Sequence, residues 1–307
     1  WGKTDRTFKP MDQRDVILTF SASDALNEKH PERSEQYGKL QKKQFDFREG
    51  AKHFEHRVPW DNNKPGYTQK DRALHHAAWH PLDASESHGM AYAQPDTRML
   101  SWDQSDVEKE QYEFKSKEEA ATSIKSAARV FGAIRCGITK RDKRWDYDPI
   151  YDITNERTLS WEEDFPFEPK TVIVILVPMD YDNITTAPAW TAEASIGNGY
   201  VLMAMIANQI AKFMRGLGYK AVGAGNDLGM SVPYAIAAGL GEGGRNQQLL
   251  APGIGPRHRI CKVYTAPRLH RPRCRKFRPA GPGRGPGGNH RYRQRLLAQD
   301  QAVRRVR

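Results

Sequence analysis

The sequence predicts an α/β core in residues 115–265, and three observations carry that expectation. Helix signals alternate with short β-branched runs, one run is apolar on both faces, and glycines close the helices where the periodicity stops. The first helix opens at Ser116-Lys117-Glu118-Glu119, a capping box in which the Ser hydroxyl and a Glu carboxylate satisfy backbone donors of the first turn. Ile124, Ala127, Ala128 and Phe131 recur at helical spacing, and Gly132 supplies a left-handed stop. Ala133 to Thr139 follows as a short strand. Lys170 to Val177 (KTVIVILV) reads as a central strand buried on both sides.

A long helix is predicted from Ala192 to about Gly216, with Ile196, Tyr200, Met203, Ala207, Ile210 and Met214 on one stripe and Gly216-Leu217-Gly218 closing it. Lys220 to Ala224 reads as a strand. Ser231 to Leu240, with Pro233 in its first turn, reads as a third helix, and the glycine-rich run Gly239 to Asn246 follows.

Residues 1–114 read differently. They are polar, with little periodicity, and predict short helices and long loops that wrap a core rather than form one. His76 and His80 stand four apart and face one way if that stretch is helical, but no third ligand accompanies them, so they read as ordinary surface histidines.

The formal charge of +11 over 307 residues is unevenly placed. The segment from Thr265 onward carries thirteen basic side chains against the single acid Asp300, so residues 1–264 are close to neutral. Residues 266–307 (RPRCRKFRPAGPGRGPGG and beyond) hold Pro and Gly throughout, show no period, and predict a disordered basic tail. An Arg-rich nucleic-acid arm and translation out of frame are the two other readings of that composition.

Composition also excludes some classes. With 3 cysteines, Cys136, Cys261 and Cys274, far apart, the chain is no disulfide scaffold and forms no CxxC pair or four-cysteine cluster site. The longest apolar run, Thr171 to Pro178, is too short to span a bilayer. The first residue is Trp, with no signal-like segment behind it, which reads as a processed or partial product. There is no GxxxxGK[ST], and the glycine-rich run follows a helix rather than a strand, against a dinucleotide loop. Its glycines let backbone approach a large flat ligand, and turn chemistry accounts for them equally.

By pattern alone Tyr200 is a packed core tyrosine, Asn226-Asp227 a turn, and Arg257-His258-Arg259 a basic loop. A further reading comes from longer segments: GAIRCGITKRDKRW (132–145), FEPKTVIVILVPMDYD (167–182), FMRGLGYKA (213–221), GNDLGMSVPYAIAAGLGEGGRN (225–246) and GPRHRICKVYT (255–265). Together these resemble the corrinoid and iron–sulfur reductive dehalogenases of organohalide respiration, over roughly residues 100–265.

The resemblance implies a nitroreductase-like core that holds a cobalamin-type corrinoid, and two four-iron four-sulfur clusters whose ligands this chain lacks. It places Tyr200, Asn226 and Arg259 around an organohalide above the cobalt. Co(I) would be the electron donor or nucleophile toward the carbon–halogen bond and Tyr200 would donate the proton, with Asn226 orienting the phenol or the substrate. A guanidinium beside a phenol favours the phenolate, which is the role the resemblance implies for Arg259. Candidate corrinoid contacts are Gly239, Gly241, Gly243 and Gly244, and Trp60, Trp79 or Trp102 would wall the substrate pocket. A small membrane-anchor subunit and the exported face of the cytoplasmic membrane are the implied partner and place, with no specific nucleic acid. After Thr265 the family's CxxCxxCxxxCP run is missing, so the chain reads as C-terminally truncated or frameshifted and lacking its electron path. An epoxyqueuosine-reductase-like enzyme and a non-catalytic corrinoid- or nucleic-acid-binding fragment are the alternatives.

Overall fold

The computed structural model describes residues 9–16, 24–33, 35, 60–84, 93–97, 99–153 and 155–269. In chain order the elements are a 3-10 turn at Gln13–Asp15, α1 (Asp24–Lys29), α2 (Gln69–Ala84), α3 (Lys117–Val130), β1 (Arg135–Lys140), a 3-10 turn at Lys143–Trp145, β2 (Ile150–Asp152), β3 (Arg157–Leu159) and β4 (Thr171–Pro178). They continue with α4 (Tyr181–Ile184), α5 (Trp190–Gly216), β5 (Ala221–Ala224), α6 (Ser231–Ala237), β6 (Glu242–Gly243), β7 (Leu249–Leu250) and β8 (His258–Thr265).

Four strands form the main sheet in the order β1-β4-β8-β5, and every pairing is antiparallel. The alternation of helices and strands therefore builds an α/β core around an antiparallel sheet. Its two interior strands are β4 and β8. β4 reads as the sequence predicts: Val172 to Val177 are fully buried because β1 and β8 cover its edges and helices cover its faces.

Strand alternation sorts β8 onto two faces. Val263 pairs with Gly223, where an added Cβ would meet the Ala207 backbone of α5 at 2.8 Å, so this face, shared with Cys261 and Arg259, carries α5. Lys262 shares a row with Val174 and Gly137, where a Cβ would meet Ala238 O just beyond α6 at 2.6 Å, so Lys262 and Tyr264 face α6. On the α6 side lies a buried polar knot. Asp146 accepts hydrogen bonds from Arg141 Nε (2.6 Å), Tyr234 OH (2.5 Å) and Tyr264 OH (3.3 Å). Burial pushes the Asp146 carboxyl up, and the Arg141 charge pulls it back.

The helix ends obey local chemistry. Ser116 Oγ accepts from Glu119 N at 3.1 Å, while the Glu119 carboxylate accepts from Lys115 N at 2.6 Å, one residue before the cap. Gly132, Gly218 and Gly239 all take positive φ (97°, 79° and 75°) and close α3, α5 and α6 with paired backbone bonds, such as Gly239 N to Ile236 O and Leu240 N to Ala235 O. That closure ends α6 at Ala237, three residues short of the Leu240 expected.

Three sequence expectations are corrected. The polar N-terminal region contains α2, a sixteen-residue helix laid along α5, where short helices were expected. Arg257-His258-Arg259 is a loop only at Arg257, because His258 and Arg259 begin β8 and pair with Pro178 and Val177. Order also continues past Thr265: Thr171 Oγ1 donates to Pro267 O (2.6 Å) and accepts from Leu269 N (3.1 Å), and Leu269 is buried in the core. The rest of the expected disordered tail, 270–307, and Cys274 within it, lie outside the described residues.

Candidate active site

The site forms where α2, α5, β8 and the turn after β5 converge. Tyr200 stands in the middle of α5 and is 5% exposed. The turn residue Asn226 donates its Nδ2 to Tyr200 OH at 3.2 Å. Arg259 reaches from the start of β8 to lay its guanidinium over the Tyr200 ring, with Cζ 4.0 Å from the centroid. Of the three residues singled out in the sequence, Asn226 and Arg259 thus each contact Tyr200. Arg259 lies on the face of the Tyr200 ring.

Two glycines make this convergence sterically feasible. A Cβ on Gly197 would lie 2.5 Å from Trp79 Nε1, so the indole of α2 packs straight onto the α5 backbone. A Cβ on Gly199 would lie 3.1 Å from Arg259 Cγ and 3.4 Å from Met179 Cγ. Trp79 then stacks on Tyr200 at 5.5 Å with a 30° tilt. Of the three tryptophans proposed as pocket walls, it is the one that reaches the site. Trp102 packs in the core on Phe165 (5.0 Å), and Trp60 is 47% exposed beneath Arg72.

Sequence reasoning missed two titratable neighbours. Glu193, two turns before Tyr200 and one before Gly197, shares their helix face. Burial pushes its carboxyl up, and the charge of Arg259 pulls it down. His75, one turn before Trp79, is buried with its ring 6.4 Å from the indole, and burial drives its pKa down to about 4, helped by His76 and Arg72. The available signal was the spacing of Glu193, Gly197 and Tyr200, which becomes informative once α2 is known to lie on that face.

The buried Nε of Arg259 and Nε1 of Trp79 have no hydrogen-bond partner among the described residues. Two orphaned donors beside a phenol fit a ligand that brings acceptors, and the rim amides of a corrinoid are such acceptors. Iron–sulfur clusters do not fit: among the described residues Cys136 and Cys261 are free, burial raises both thiols to about 12, and no three His, Cys, Asp or Glu side chains gather to hold a metal. His76 is half-buried and accepts from Arg72 Nε at 3.3 Å.

The glycine-rich run has local explanations. Gly239 is the positive-φ stop of α6; a Cβ on Gly241 would collide with Leu250 O, and one on Gly244 would meet Asn246 Oδ1 at 2.9 Å. Gly243 lies in the exposed strand β6, paired with Leu249.

No protein-family model matches the chain. The tetrachloroethene reductive dehalogenase of Desulfitobacterium hafniense is 40% identical over 216 residues, 58% of this chain and 39% of that protein. The enzyme of the same name from Sulfurospirillum multivorans is 30% identical over 170 residues, 48% of this chain and 34% of that protein. The chain therefore spans about two fifths or less of the length of these relatives. A solved reductive dehalogenase, whose structure is said to suggest a mechanism for B12-dependent dehalogenation, covers 84% of this chain and 31% of its own at 17% identity with a TM-score of 0.53, and so shares the fold. Epoxyqueuosine reductase from Bacillus subtilis aligns over 49% of the chain at a TM-score of 0.32, too little to carry an argument. Across the segment they share, this chain is similar to tetrachloroethene reductive dehalogenases at identities up to 40%.

Proposed function

We propose that this chain carries the corrinoid-side half of a reductive dehalogenase site, and that Tyr200 is its proton donor. The observation that carries the reading is Tyr200 with its hydroxyl hydrogen-bonded by Asn226 and its ring under the Arg259 guanidinium. Replacing a halogen by hydrogen consumes two electrons and one proton and releases halide. A bound corrinoid supplies the reducing chemistry at the carbon–halogen bond. The chain's own residues supply the proton and its control.

Tyr200 O–H gives its proton to the carbon that loses the halide, leaving a phenolate. Asn226 Nδ2 already donates to that oxygen, and a hydrogen bond to the charged form favours it. The Arg259 cation over the ring adds attraction for the same negative charge. Trp79 covers the phenol and supplies an apolar wall that keeps water off it. Glu193 limits the net positive charge that Arg259 brings to a half-buried place.

For the cofactor we assign the glycine-rich stretch, Gly239, Gly241, Gly243 and Gly244. Exposed β6 and the 44% exposed Leu250 beside it offer backbone and apolar surface to a flat macrocycle. We read the sheet as the nitroreductase-like core of the family and residues 1–114 as its wrapping and pocket region. Electrons would come from outside these residues. No helix among the described residues is long and apolar enough to cross a membrane; we propose that the protein sits at the exported membrane face, held by a small anchor subunit.

The test is direct. The chain, reconstituted with cobalamin and a low-potential chemical reductant, is given tetrachloroethene, and trichloroethene and chloride are measured against free cobalamin at equal concentration. Turnover clearly above the free-cobalamin rate supports the reading. A rate equal to free cobalamin in a chain shown to bind the corrinoid overturns it.

A further inference from the structure

Asn226 has a rigid mounting that the chemistry above leaves unused. Lys262 is fully buried, and burying an ammonium costs several kcal/mol unless its donors and charge are met. Its Nζ donates to Gly225 O at 2.6 Å and to Ser231 Oγ at 2.7 Å. Asp227, also buried, accepts from Gly225 N at 3.0 Å and from Ala93 N at 2.5 Å. Gly225 is therefore held at both its carbonyl and its amide, and Asn226 is the residue between it and the buried Asp227.

Strand register explains why a lysine at 262 acts there. Ala224 pairs with Lys262, so the chain leaves β5 beside Lys262 and runs along β8 toward Arg259. An apolar side chain in the α6-facing row would fill the same space, but it would leave Gly225 O without this partner. Burial lowers Lys262 and raises Asp227, while each charge draws the other back toward ionisation.

We propose that Lys262 is a positioning residue: with Asp227 as its counter-charge it fixes the turn Gly225–Asp227 so that the Asn226 amide meets the Tyr200 hydroxyl. This rests on reading Tyr200 and Asn226 as the site. It concerns the geometry of the chain itself, before substrate or corrinoid arrives.

The chain is prepared with tyrosine labelled with 13C at Cζ, and the Tyr200 resonance is assigned by its absence in Tyr200→Phe. Asn226→Ala defines where that resonance moves when the hydrogen bond is lost. The double variant Asp227→Asn/Lys262→Met removes both charges and leaves neither buried alone. In the folded double variant the Tyr200 resonance should move most of the way to the Asn226→Ala position, while those of Tyr112 and Tyr219 stay in place. A folded double variant with an unmoved Tyr200 resonance overturns the proposal. Should the double variant unfold, Ser231→Ala removes one Lys262 partner at a half-buried position: a partial shift in the same direction supports the clamp, and no shift overturns it. Because no turnover is measured, an inactive chain would leave this result standing, and an unmoved resonance would leave the dehalogenation test open.

Discussion

His75 and Trp79, one turn apart on α2, show burial setting the behaviour of single residues near the site. The folded pKa of His75 is pushed to about 4, below its ordinary value of 6.5, so the unfolded chain takes the proton first as pH falls. The His75 contribution is full above pH 6.5 and is lost as pH falls through that value toward 4. A tenfold weakening of proton affinity on folding is worth about 1.4 kcal/mol, so the fall from 6.5 to about 4 is worth about 3 kcal/mol, which solvent screening reduces to about 2 kcal/mol. Urea midpoints at pH 7 and pH 4.5 should show that loss in the wild-type chain and less of it in His75→Leu; equal losses in the two chains would contradict the assignment. Tyr200 was the hardest residue to read from pattern, because a site tyrosine on a buried stripe has the periodicity of a core tyrosine. Its hydroxyl and its two partners distinguish it, and those come from a turn and a strand far along the chain.

Helices α2 and α5 meet through missing side chains. Alanine favours a helix over glycine by about 1 kcal/mol, yet at Gly197 its Cβ would enter the Trp79 ring, an overpacking that costs about 1–3 kcal/mol. Gly197→Ala should therefore lower the melting temperature and shift tryptophan emission. Gly199→Ala, which meets the flexible Cγ of Arg259, should do less. A Gly197→Ala chain as stable as wild type with unchanged emission would contradict the packing. Elements whose signals are local were legible in the sequence: α3 by its Ser116 cap and Gly132 stop, β4 by its unbroken apolar run, α5 by its stripe. α2 was not, since its residues are polar, Pro81 interrupts it, and its burial is conferred by α5. The start of β8 hid behind two arginines and a histidine, whose strand pairing depends on Val177 and Pro178 across the sheet.

For the whole molecule, the sheet is the frame that joins distant segments, and its α6 face holds charge as well as apolar mass. Asp146 gathers Arg141, Tyr234 and Tyr264 in a setting where Arg141 is almost wholly enclosed. Removing one partner of a buried pair costs about 3–5 kcal/mol, because the other is left charged and dry. Asp146→Ala should lose about that much in denaturant unfolding; a loss below about 1 kcal/mol would contradict the network. The α5 face carries Arg259 and, through the turn after β5, Asn226, so the same sheet brings the two partners to Tyr200. The central claim is that this convergence is a proton-delivery site, and Tyr200→Phe tests it most directly. General-acid groups contribute about 100- to 10,000-fold. With the chain loaded with cobalamin and a chemical reductant, the account predicts that Tyr200→Phe keeps the fold and the bound corrinoid but loses at least about 100-fold of the chloride release above the free-cobalamin background. A Tyr200→Phe chain that binds cobalamin and releases chloride at the wild-type rate would contradict it.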